Sequence, residues 1–542
     1  MEHCQQDGHQ YTTTAVGTFK RLRDLFCVRI MHLLHRVFLI CLVGSFAACA
    51  QLQPRPDLPF DAVIPLSETG PLDRSIAPVE AQHPGQSAFR LVIEGTEAFA
   101  TRVHSARLAV RSLDVQTYIW HADLTGMFLA QQLIEAADRG VKVRLLVDDM
   151  DARAKNAGFA ALAAHPNIDV RLFNPFASRT GMLGLIGEGL TDFGRVNRRM
   201  HNKSWIADNR IALVGGRNIG DEYYGASDGV NFVDLDFAMI GPVVRDASAS
   251  FDTYWNSPLV YPIESLDPAS VTSTELDRLR ALLISRASAA ENSRYAADLR
   301  AGDAVKRLVT GDWPMEWVSK YTFVSDDPLK VTMTEQNAQR TLVAAALLPW
   351  VKSAQSDITI ISPYFVPGEV TTDLLVAAAG SGKRVGVLTN SLVASDVAAV
   401  HGGYSRHRKP LLVGGVSLYE LKPETGTRVD SSLFGSSGAS LHTKAIAVDR
   451  KSLFVGSFNL DPRSTWLNSE QGVLVENPGL ASQLETIFAT QTSGQRAWHV
   501  MLKDGELKWT DGNESFDSDP KASAGKRFAA WLARVLGLES LL

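Results

Sequence analysis

The sequence predicts an α/β protein of two similar lobes, each a mixed sheet flanked by helices, related by a pseudo-two-fold axis. Three observations predict this architecture. The segment "MHNKSWIAD", Met200 to Asp208, returns as "LHTKAIAVD", Leu441 to Asp449, with the spacing H-x-K-x-x-x-x-D. Each copy then leads to a Gly-rich segment, "GGRN" or "GSFN". Each copy also follows a strand-helix-strand pattern, so we expect a duplicated unit.

The strand-helix-strand patterns are readable in both halves of the chain. In the first half, "SLDVQTYIW" predicts a strand, "MFLAQQLIEAADRG" a helix ending at Gly140 and "VKVRLLVDDM" a second strand. In the second half, "SDITIISPYFVP", "TTDLLVAAAGSG" and "KRVGVLTN" repeat the order. Periodicity and glycine stops support each assignment. Two β-α-β units therefore precede the two motifs.

The motif spacing predicts which side chains can act together. Residues two apart in a strand share a face, so His201 and Lys203 point together, as do His442 and Lys444. Asp208, seven residues after its histidine, falls on the other face or in the turn, and the same holds for Asp449. The sequences "DNR" and "DRK" are typical of turns between apolar runs. This placement indicates an orienting role for each aspartate.

If each turn centres on Asn209 or Arg450, antiparallel pairing brings the Gly-rich segment back beside its own histidine. Asn218 then neighbours His201, and Asn459 neighbours His442. The glycines before each asparagine allow close approach of a ligand to the backbone.

Taken alone, each copy of the motif has a second interpretation, in which its histidine and lysine are surface or capped residues on a half-buried strand. For the pair, shared chemistry is the favoured interpretation. We expect no metal, because lysine is a poor ligand and no Cys, His or Asp lies at the usual ligand offsets.

Two histidines and two lysines at one site suit phosphoryl transfer. One imidazole can attack phosphorus, while the other protonates the leaving alkoxide and later deprotonates the incoming alcohol. Lysine and asparagine side chains can hold the non-bridging oxygens. No cofactor is required for this chemistry.

The paired motifs, with "GGRNIGDEYYG" after the first and "GSFNLDPRSTWLNSE" after the second, resemble the phospholipase D superfamily. Within it the chain is similar to the bacterial cardiolipin synthase branch, most of all to its periplasm-facing, cardiolipin synthase C-like members. The likeness covers about residues 90 to 500. It implies two phospholipase D-like lobes with the active site at their interface.

The resemblance also assigns roles residue by residue. It implies catalytic roles for His201, Lys203, Asp208, His442, Lys444 and Asp449, and phosphate binding by Asn218, Ser457 and Asn459. Gly216 stands where the second copy has Ser457, which leaves open which half supplies a hydroxyl. Glu222 and Glu470 follow at family-like places, but we interpret both as buried or capping carboxylates.

The resemblance implies a phosphatidyltransferase that forms cardiolipin through a phosphohistidine. It does not decide which histidine is the nucleophile, and our working hypothesis is His201 as nucleophile with His442 as acid and base. Phosphatidylglycerol is the expected acceptor, and phosphatidylethanolamine or phosphatidylglycerol the donor, at a membrane surface. The alternatives are a phospholipase or a nuclease using water, and a lipid-binding lipoprotein with a relic site. The net charge of −5 does not favour a nucleic-acid partner. Oligomeric state is not predicted.

The N-terminal segment predicts export. "MHLLHRVFLICLVGSFAACAQL", from Met31, has a basic start, an apolar centre and small residues before Cys49. All four cysteines lie within the first 49 residues, which fits an oxidising compartment. We expect lipidation at Cys49 and attachment on the periplasmic side of a membrane, the inner or the outer. A plain signal anchor is the alternative.

The domain boundaries follow from these signals. We predict a signal segment (1–49, with Met31 as an alternative start), a Pro-rich tether (50–88), a first lobe (89–267), an insertion or linker (268–345), a second lobe (346–500) and a tail (501–542). In the tail, "KRFAAWLARVLGLESLL" places Phe528, Trp531, Leu532, Val535 and Leu536 on one helical face. Such a helix lies either in a membrane interface or against the protein body.

Overall fold

The computed structural model describes residues 52–179, 182–333, 343–395, 397–423 and 441–537. The chain forms two units: residues 1–54 with 176–196, and residues 55–175 with 197–542. The described part of the smaller unit contains the helices Met182–Thr191 and Phe193–Val196. The larger unit contains both sheets and both histidine motifs.

The first sheet has nine strands. They are β1 (Ser87–Val92), β2 (Ser112–Thr117), β3 (Lys142–Asp148), β4 (Ile168–Phe173), β5 (Ser204–Ala207), β6 (Ile211–Gly215), β7 (Asp236–Ile240), β8 (Val260–Pro262) and β9 (Glu316–Val318). Their order is β8-β4-β3-β2-β5-β6-β7-β1-β9. Strands β2, β3 and β4 are parallel, and the remaining pairs are antiparallel.

The second sheet has ten strands. They are β10 (Tyr321–Ser325), β11 (Asp357–Ile361), β12 (Arg384–Asn390), β13 (Ser417–Leu421), β14 (Ala445–Val448), β15 (Ser452–Gly456), β16 (Gln471–Glu476), β17 (Ala497–Lys503), β18 (Glu506–Thr510) and β19 (Ser515–Phe516). The order is β10-β16-β15-β14-β11-β12-β13-β17-β18-β19. Strands β11 to β16 thus repeat the order and directions of β2 to β7. The predicted duplication is confirmed.

Helices cover the sheets, and the longer ones are Pro71–Gln82, Gly95–Leu108, Leu124–Asp138, Asn156–Ala163, Pro242–Trp255, Ser273–Ala290, Arg294–Ala301, Asp303–Thr310, Val343–Lys352, Gly368–Gly380, Ala398–Val413, Pro478–Gln491 and Ala524–Leu536. Short helices are Asp149–Ala152, Asp221–Tyr224 and Ile263–Leu266. The predicted helix in the first β-α-β unit begins after Asp123, which accepts a hydrogen bond from the Gly126 N–H. This is an N-cap, and the helix buries Leu129 and Leu133.

The two lobes share one apolar core. Ile206, Val214 and Phe237 of the first sheet belong to the same buried cluster as Val455 and Val473 of the second. The interface is therefore packed like a protein interior, and the side chains at its edge are held in fixed positions.

Three predicted boundaries differ from the structure. The expected tether is docked on the first lobe from Arg55 onward: Asp61 accepts hydrogen bonds from Lys142 and Trp255, and a helix follows at Pro71–Gln82. The expected linker supplies β9 to the first sheet and β10 to the second, and the expected tail extends the second sheet through β17, β18 and β19. Among the described residues, no helix combines the length and the apolar character needed to cross a bilayer.

Candidate active site

Both predicted hairpins are present. Strand β5 pairs with β6 from Ala207 opposite Ile211, and β14 pairs with β15 from Val448 opposite Ser452. The turns contain two successive residues with positive φ, Asp208 and Asn209 in the first and Asp449 and Arg450 in the second. Aspartate and asparagine tolerate this left-handed conformation better than most residues.

The motif aspartates do not orient the histidines. The Asp208 carboxylate accepts hydrogen bonds from the backbone N–H groups of Val110, Arg111 and Ser112, at 2.8 to 3.3 Å. Asp449 binds the equivalent segment before β11, from Gln355 to Asp357, at 2.6 to 3.1 Å. Seven residues of extended chain span about 23 Å, so each aspartate lies at the far end of its hairpin from the histidine. The expectation of an orienting role is wrong, and both aspartates anchor the hairpin to the neighbouring strand.

Each motif begins by pairing with the opposite lobe. The His201 N–H donates to the Ser469 carbonyl, and the His442 N–H donates to the Val233 carbonyl. Isolated bridges join Met200 to Ser469 and Val233 to Leu441. These symmetric contacts bring both motifs to the shared interface, as the sequence predicts.

Two buried carboxylates orient the histidines, and each comes from the opposite lobe. His201 Nδ1 lies 2.9 Å from Glu470 Oε2, and His442 Nδ1 lies 2.6 Å from Asp234 Oδ2. Both carboxylates are fully buried. A carboxylate on Nδ1 fixes that tautomer and leaves Nε2 of each imidazole for chemistry. Neither lobe alone holds a complete histidine-carboxylate pair.

The register shows that the two carboxylates are equivalent positions of the duplication. Gly215, at the end of β6, pairs with Asp236, and Gly456, at the end of β15, pairs with Gly472. Asp234 and Glu470 each stand two residues before the partner of that glycine. The motif spacing does not indicate Asp234, and it predicts for Glu470 only a buried or capping carboxylate. In both halves, an acidic residue stands just before the strand that follows the Gly-rich segment. This shared position is the sequence signal that indicates both carboxylates.

The electrostatic environments of the two pairs differ. Burial raises the pKa of Glu470 to about 7, and its carboxylate also accepts hydrogen bonds from Ser457 Oγ at 2.5 Å and Ser464 Oγ at 2.8 Å. In contrast, interaction with His442 and Lys444 outweighs burial and lowers the pKa of Asp234. At neutral pH Asp234 is therefore ionised, whereas Glu470 is near its midpoint.

Both imidazoles are neutral in the free protein. Burial, with the charges of Lys203 and Lys444, lowers the pKa of His201 well below its usual value. Burial and Lys444 also lower the pKa of His442, to about 3. A neutral imidazole with Nδ1–H held by a carboxylate presents a free lone pair on Nε2, as a nucleophile or base requires.

Gly216 and Ser457 occupy equivalent positions in the two lobes, and each lies next to the carboxylate that binds a histidine of the opposite lobe. A Cβ on Gly216 would lie 2.2 Å from Asp234 Oδ1, so any side chain there would displace the partner of His442. At the equivalent place the Ser457 hydroxyl binds Glu470 and Gln471. The expected role of Ser457 as a phosphate ligand is not what its contacts show, because this hydroxyl holds the carboxylate behind His201.

The two lysines lie beneath the histidines on the same strand face. Lys203 Nζ donates to the His201 carbonyl and Lys444 Nζ to the His442 carbonyl, each at 2.6 Å. Both lysines are buried, and burial lowers the pKa of Lys203 well below its usual value. A bound phosphodiester anion would favour the charged ammonium and offset this effect.

The two asparagines are also buried, but their contacts differ. Asn218 Nδ2 donates to the Tyr223 hydroxyl at 2.8 Å, and the Tyr223 ring lies 5.1 Å from the imidazole of His442. Asn459 Oδ1 is buried and has no hydrogen-bond partner in the described part of the protein. Asn459 therefore keeps polar capacity for a ligand, whereas Asn218 supports the wall around His442.

Aromatic rings enclose both histidines. Tyr118 meets His201 edge-on at 5.2 Å and lies 5.4 Å from Lys203 Nζ, whereas Phe232 stacks on His442 at 5.5 Å. Sequence reasoning did not select these rings, because their positions follow from the strand ends rather than from a motif. They give the site apolar walls, which strengthen the electrostatic interactions within it.

Other acidic residues have supporting roles. Asp148 is fully buried and accepts from Arg199 Nε and the Met200 N–H, which fixes the chain just before His201. Glu222 pairs with His121 at 3.0 Å rather than with a motif residue. Among the described residues, two groups could hold a metal ion, His121 with Asp123 and Glu222, and His401 with Glu420 and Asp519, and neither includes a motif histidine.

Comparison with known proteins identifies the duplicated unit. Residues 101–255 and 347–491 both match the family described as cardiolipin synthase, PLD-like domain, where PLD denotes phospholipase D. Cardiolipin synthase C of Escherichia coli K12 is 41% identical over 481 residues, which cover 87% of this chain and 99% of that protein. Cardiolipin synthase 2 of Staphylococcus epidermidis is 26% identical over 402 residues, covering 73% of this chain and 66% of that one.

A solved structure supports the fold. Phosphatidylserine synthase of Haemophilus influenzae superimposes with a TM-score of 0.54 at 14% identity, covering 87% of this chain and all of that chain. The two regions that match the family, residues 101–255 and 347–491, contain both hairpins and both histidine-carboxylate pairs. The chain therefore belongs to the cardiolipin synthase family of PLD-like proteins, within the phospholipase D superfamily.

Proposed function

We propose that the protein transfers a phosphatidyl group from a donor phospholipid to phosphatidylglycerol and so forms cardiolipin. The observation that carries this proposal is the crossed arrangement of two histidine-carboxylate pairs at one buried interface. It supplies one imidazole to attack phosphorus and a second to move protons. The 41% identity to a cardiolipin synthase over most of the chain supports transfer rather than hydrolysis.

In the first step, Nε2 of His201 attacks the phosphorus of the donor phosphodiester. The phosphorus–nitrogen bond forms, the bond to the head-group oxygen breaks, and that oxygen takes a proton from Nε2 of His442. In the second step, the hydroxyl of phosphatidylglycerol attacks phosphorus while His442 accepts its proton. The phosphorus–nitrogen bond breaks, and His201 is restored.

The difference between the carboxylates supports these roles. His442 must carry a proton before the first step, and the ionised Asp234 at 2.6 Å favours an imidazolium there. The negative charge of the bound phosphodiester acts in the same direction. Burial, together with the neighbouring Lys203, Lys444 and Arg463, lowers the pKa of His201 and keeps its imidazole unprotonated and nucleophilic.

The phosphate oxygens need donors, and the site supplies them. Lys203 and Lys444 can turn from the histidine carbonyls towards a phosphoryl group. The amide nitrogen of Asn459 is the further donor that the family resemblance implies. This arrangement uses amine and amide donors in the place that a metal ion takes in other phosphoryl-transfer enzymes.

The test is product analysis. Purified protein is incubated with phosphatidylglycerol vesicles, with and without phosphatidylethanolamine, and lipids are followed by mass spectrometry beside a His442→Ala control. Cardiolipin that is absent from the control supports transfer, and the dependence on phosphatidylethanolamine identifies the donor. Phosphatidic acid as the only product would make the protein a hydrolase. Absence of lipid products would redirect the search to nucleic-acid phosphodiesters.

The proposal includes membrane attachment through a lipid on Cys49, on the periplasmic side. Its support comes from the apolar segment before Cys49 and from the confinement of cysteine to the first 49 residues. Cys49 lies outside the described residues. Metabolic labelling with radioactive palmitate tests this attachment, because label retained by a Cys49→Ser variant would contradict it.

A further inference from the structure

The C-terminal helix Ala524–Leu536 uses only its small residues to pack on the protein. Ala530 and Ala533 are buried against the helix Ala398–Val413, where Gly402 allows close approach. A Cβ on Gly402 would lie 2.4 Å from the Ala530 carbonyl oxygen. The helix is thus held tightly by one narrow face.

The opposite face is apolar and exposed. Its exposed side chains range from 38% for Leu532 to 61% for Leu536, and also include Phe528, Trp531 and Val535. These are the five residues that the sequence pattern places on one face. Of the two placements that the sequence allows, the structure therefore shows the apolar stripe facing away from the protein body. A contiguous exposed stripe with two aromatic rings is typical of an interaction surface.

The helix segment that carries this stripe is positively charged, and the carboxylates near it, Glu506, Asp517 and Asp519, line a cleft beside Trp531 and Arg534. Residues 521–537 contain four cations, Lys521, Lys526, Arg527 and Arg534, and no carboxylate, although the whole chain carries a net charge of −5. An apolar face with aromatic residues, flanked by lysine and arginine, matches the interface of an anionic bilayer.

The helix lies at the edge of the sheet that carries the active site. Lys526 Nζ donates to the carbonyls of Val393 and Ser395, in the loop that follows β12. At the end of β12, the Asn390 side chain binds both backbone groups of Leu441, the residue before His442.

We propose that the exposed face of Ala524–Leu536 docks on an anionic phospholipid bilayer and holds the active-site edge of the second lobe against the lipid surface. The proposal rests on the proposed function only in naming phospholipid as the substrate that this contact delivers. Docking next to the site shortens the path of a lipid from bilayer to His442. Together with the lipid proposed on Cys49, this helix would give the protein two attachment points at the membrane.

The binding test uses a single fluorescent label. Because all four natural cysteines lie in the first 49 residues, replacing them with serine leaves a full-length chain without cysteine. A bilayer-sensitive dye is attached to Phe528→Cys, or, as the matched control, to Val413→Cys. Val413 is 77% exposed at the far end of the helix on which Ala524–Leu536 packs.

With vesicles of phosphatidylglycerol and phosphatidylcholine, we expect several-fold brighter emission at position 528, quenched by brominated acyl chains, and no change at position 413. Vesicles of phosphatidylcholine alone should give a weaker response. An unchanged signal at position 528 would overturn the proposal. A change that occurs without vesicles and follows protein concentration would also overturn it, since the face would then bind a second copy of the chain.

The functional test compares two forms of substrate. Trp531→Glu should lower turnover of phosphatidylglycerol in vesicles by about tenfold or more, because an aromatic contact is lost and a charge is added at the interface. Turnover of short-chain phosphatidylglycerol below its micelle concentration should be unchanged, and Val413→Glu should alter neither. Equal loss on both substrates would refute interfacial docking, whereas absence of activity in the unmodified protein would refute the proposed function instead.

Discussion

Glu470 should make the folded protein less stable whenever it is ionised, and Glu470→Gln should remove that effect. Burial raises the pKa of this carboxyl from 4.5 to about 7 in the folded protein. The folded state therefore binds the proton more tightly than the unfolded state, and its stability falls as pH rises from about 4.5 to about 7. With about 1.4 kcal/mol per unit of pKa, the full effect is about 3 kcal/mol.

The assay is urea unfolding, followed by tryptophan fluorescence, of the wild type and the Glu470→Gln variant at pH 5 and pH 8.5. Relative to the wild type, the variant should gain about 2.5 kcal/mol between these pH values. Asp326 and Asp461, whose pKa values are raised to about 6 by burial and further by the charge of Glu470, titrate in both proteins. The part due to burial cancels in the difference, and the repulsion from Glu470 that the variant loses changes the stability in the same direction as the predicted gain. A constant difference at both pH values would refute the assignment of a raised pKa to Glu470.

The same substitution should also lower turnover by at least about a hundredfold, because glutamine cannot stabilise charge on His201 in the transition state. A gain in stability together with a loss of activity is the signature expected of a group kept ionised for catalysis. A variant that becomes more stable and stays fully active would show that Glu470 does not support the nucleophile.

The remaining predictions concern pH, the hairpin anchors and the glycine of the first motif. In the wild type, kcat/KM should fall about tenfold per pH unit below pH 7. Protonated Glu470 donates to Nδ1 of His201 and moves the imidazole proton to Nε2, so the nucleophilic lone pair is lost. A flat profile between about pH 5.5 and 7 would contradict this. Asp208→Ala should lower the free energy of unfolding by about 3–6 kcal/mol, because three backbone N–H groups lose their acceptor. Asp208→Asn keeps an acceptor oxygen, so its free energy of unfolding should stay within about 2 kcal/mol of the wild-type value and the variant should remain active. Inactivity of a stably folded Asp208→Asn would restore a catalytic role for this residue. Gly216→Ala should displace Asp234 and lower turnover by about a hundredfold with little loss of secondary structure by circular dichroism, and full activity would show that Asp234 is dispensable.

Much of the fold could be predicted because its signals are local. Apolar periodicity located β2, β3, β11 and β12, and the helices between them end within two residues of their predicted glycine stops. The turns at Asp208 and Asp449 followed from the odd spacing between histidine and aspartate. Duplication then implied that the two motifs meet, which the backbone contacts between lobes confirm.

The partners of the histidines could not be predicted, because they come from remote parts of the chain. Asp234 and His442 are 208 positions apart, and His201 and Glu470 are 269 apart. Spacing within a motif reports only which side chains share a strand face. That spacing therefore predicts an orienting role for Asp208, the nearest carboxylate in the motif, although its carboxylate lies at the other end of the hairpin.

Composition also predicts domain boundaries that tertiary contacts override. Residues 55–88 are rich in proline and lack a clear period, yet Asp61 holds them on the first lobe through Lys142 and Trp255. Strands β9 and β10 are short and separated by two residues, and each gains its place only by pairing with a different sheet.

The central claim is that His201 carries the phosphatidyl group and passes it to an alcohol. The most direct measurement is to treat the His442→Ala variant with a phosphatidyl ester of p-nitrophenol, a leaving group that needs no acid. We expect one equivalent of nitrophenol and a phosphatidyl adduct on the peptide that contains His201. Addition of phosphatidylglycerol with imidazole as a base should convert that adduct to cardiolipin. A burst from His201→Ala instead, or release of phosphatidic acid alone, would contradict the account.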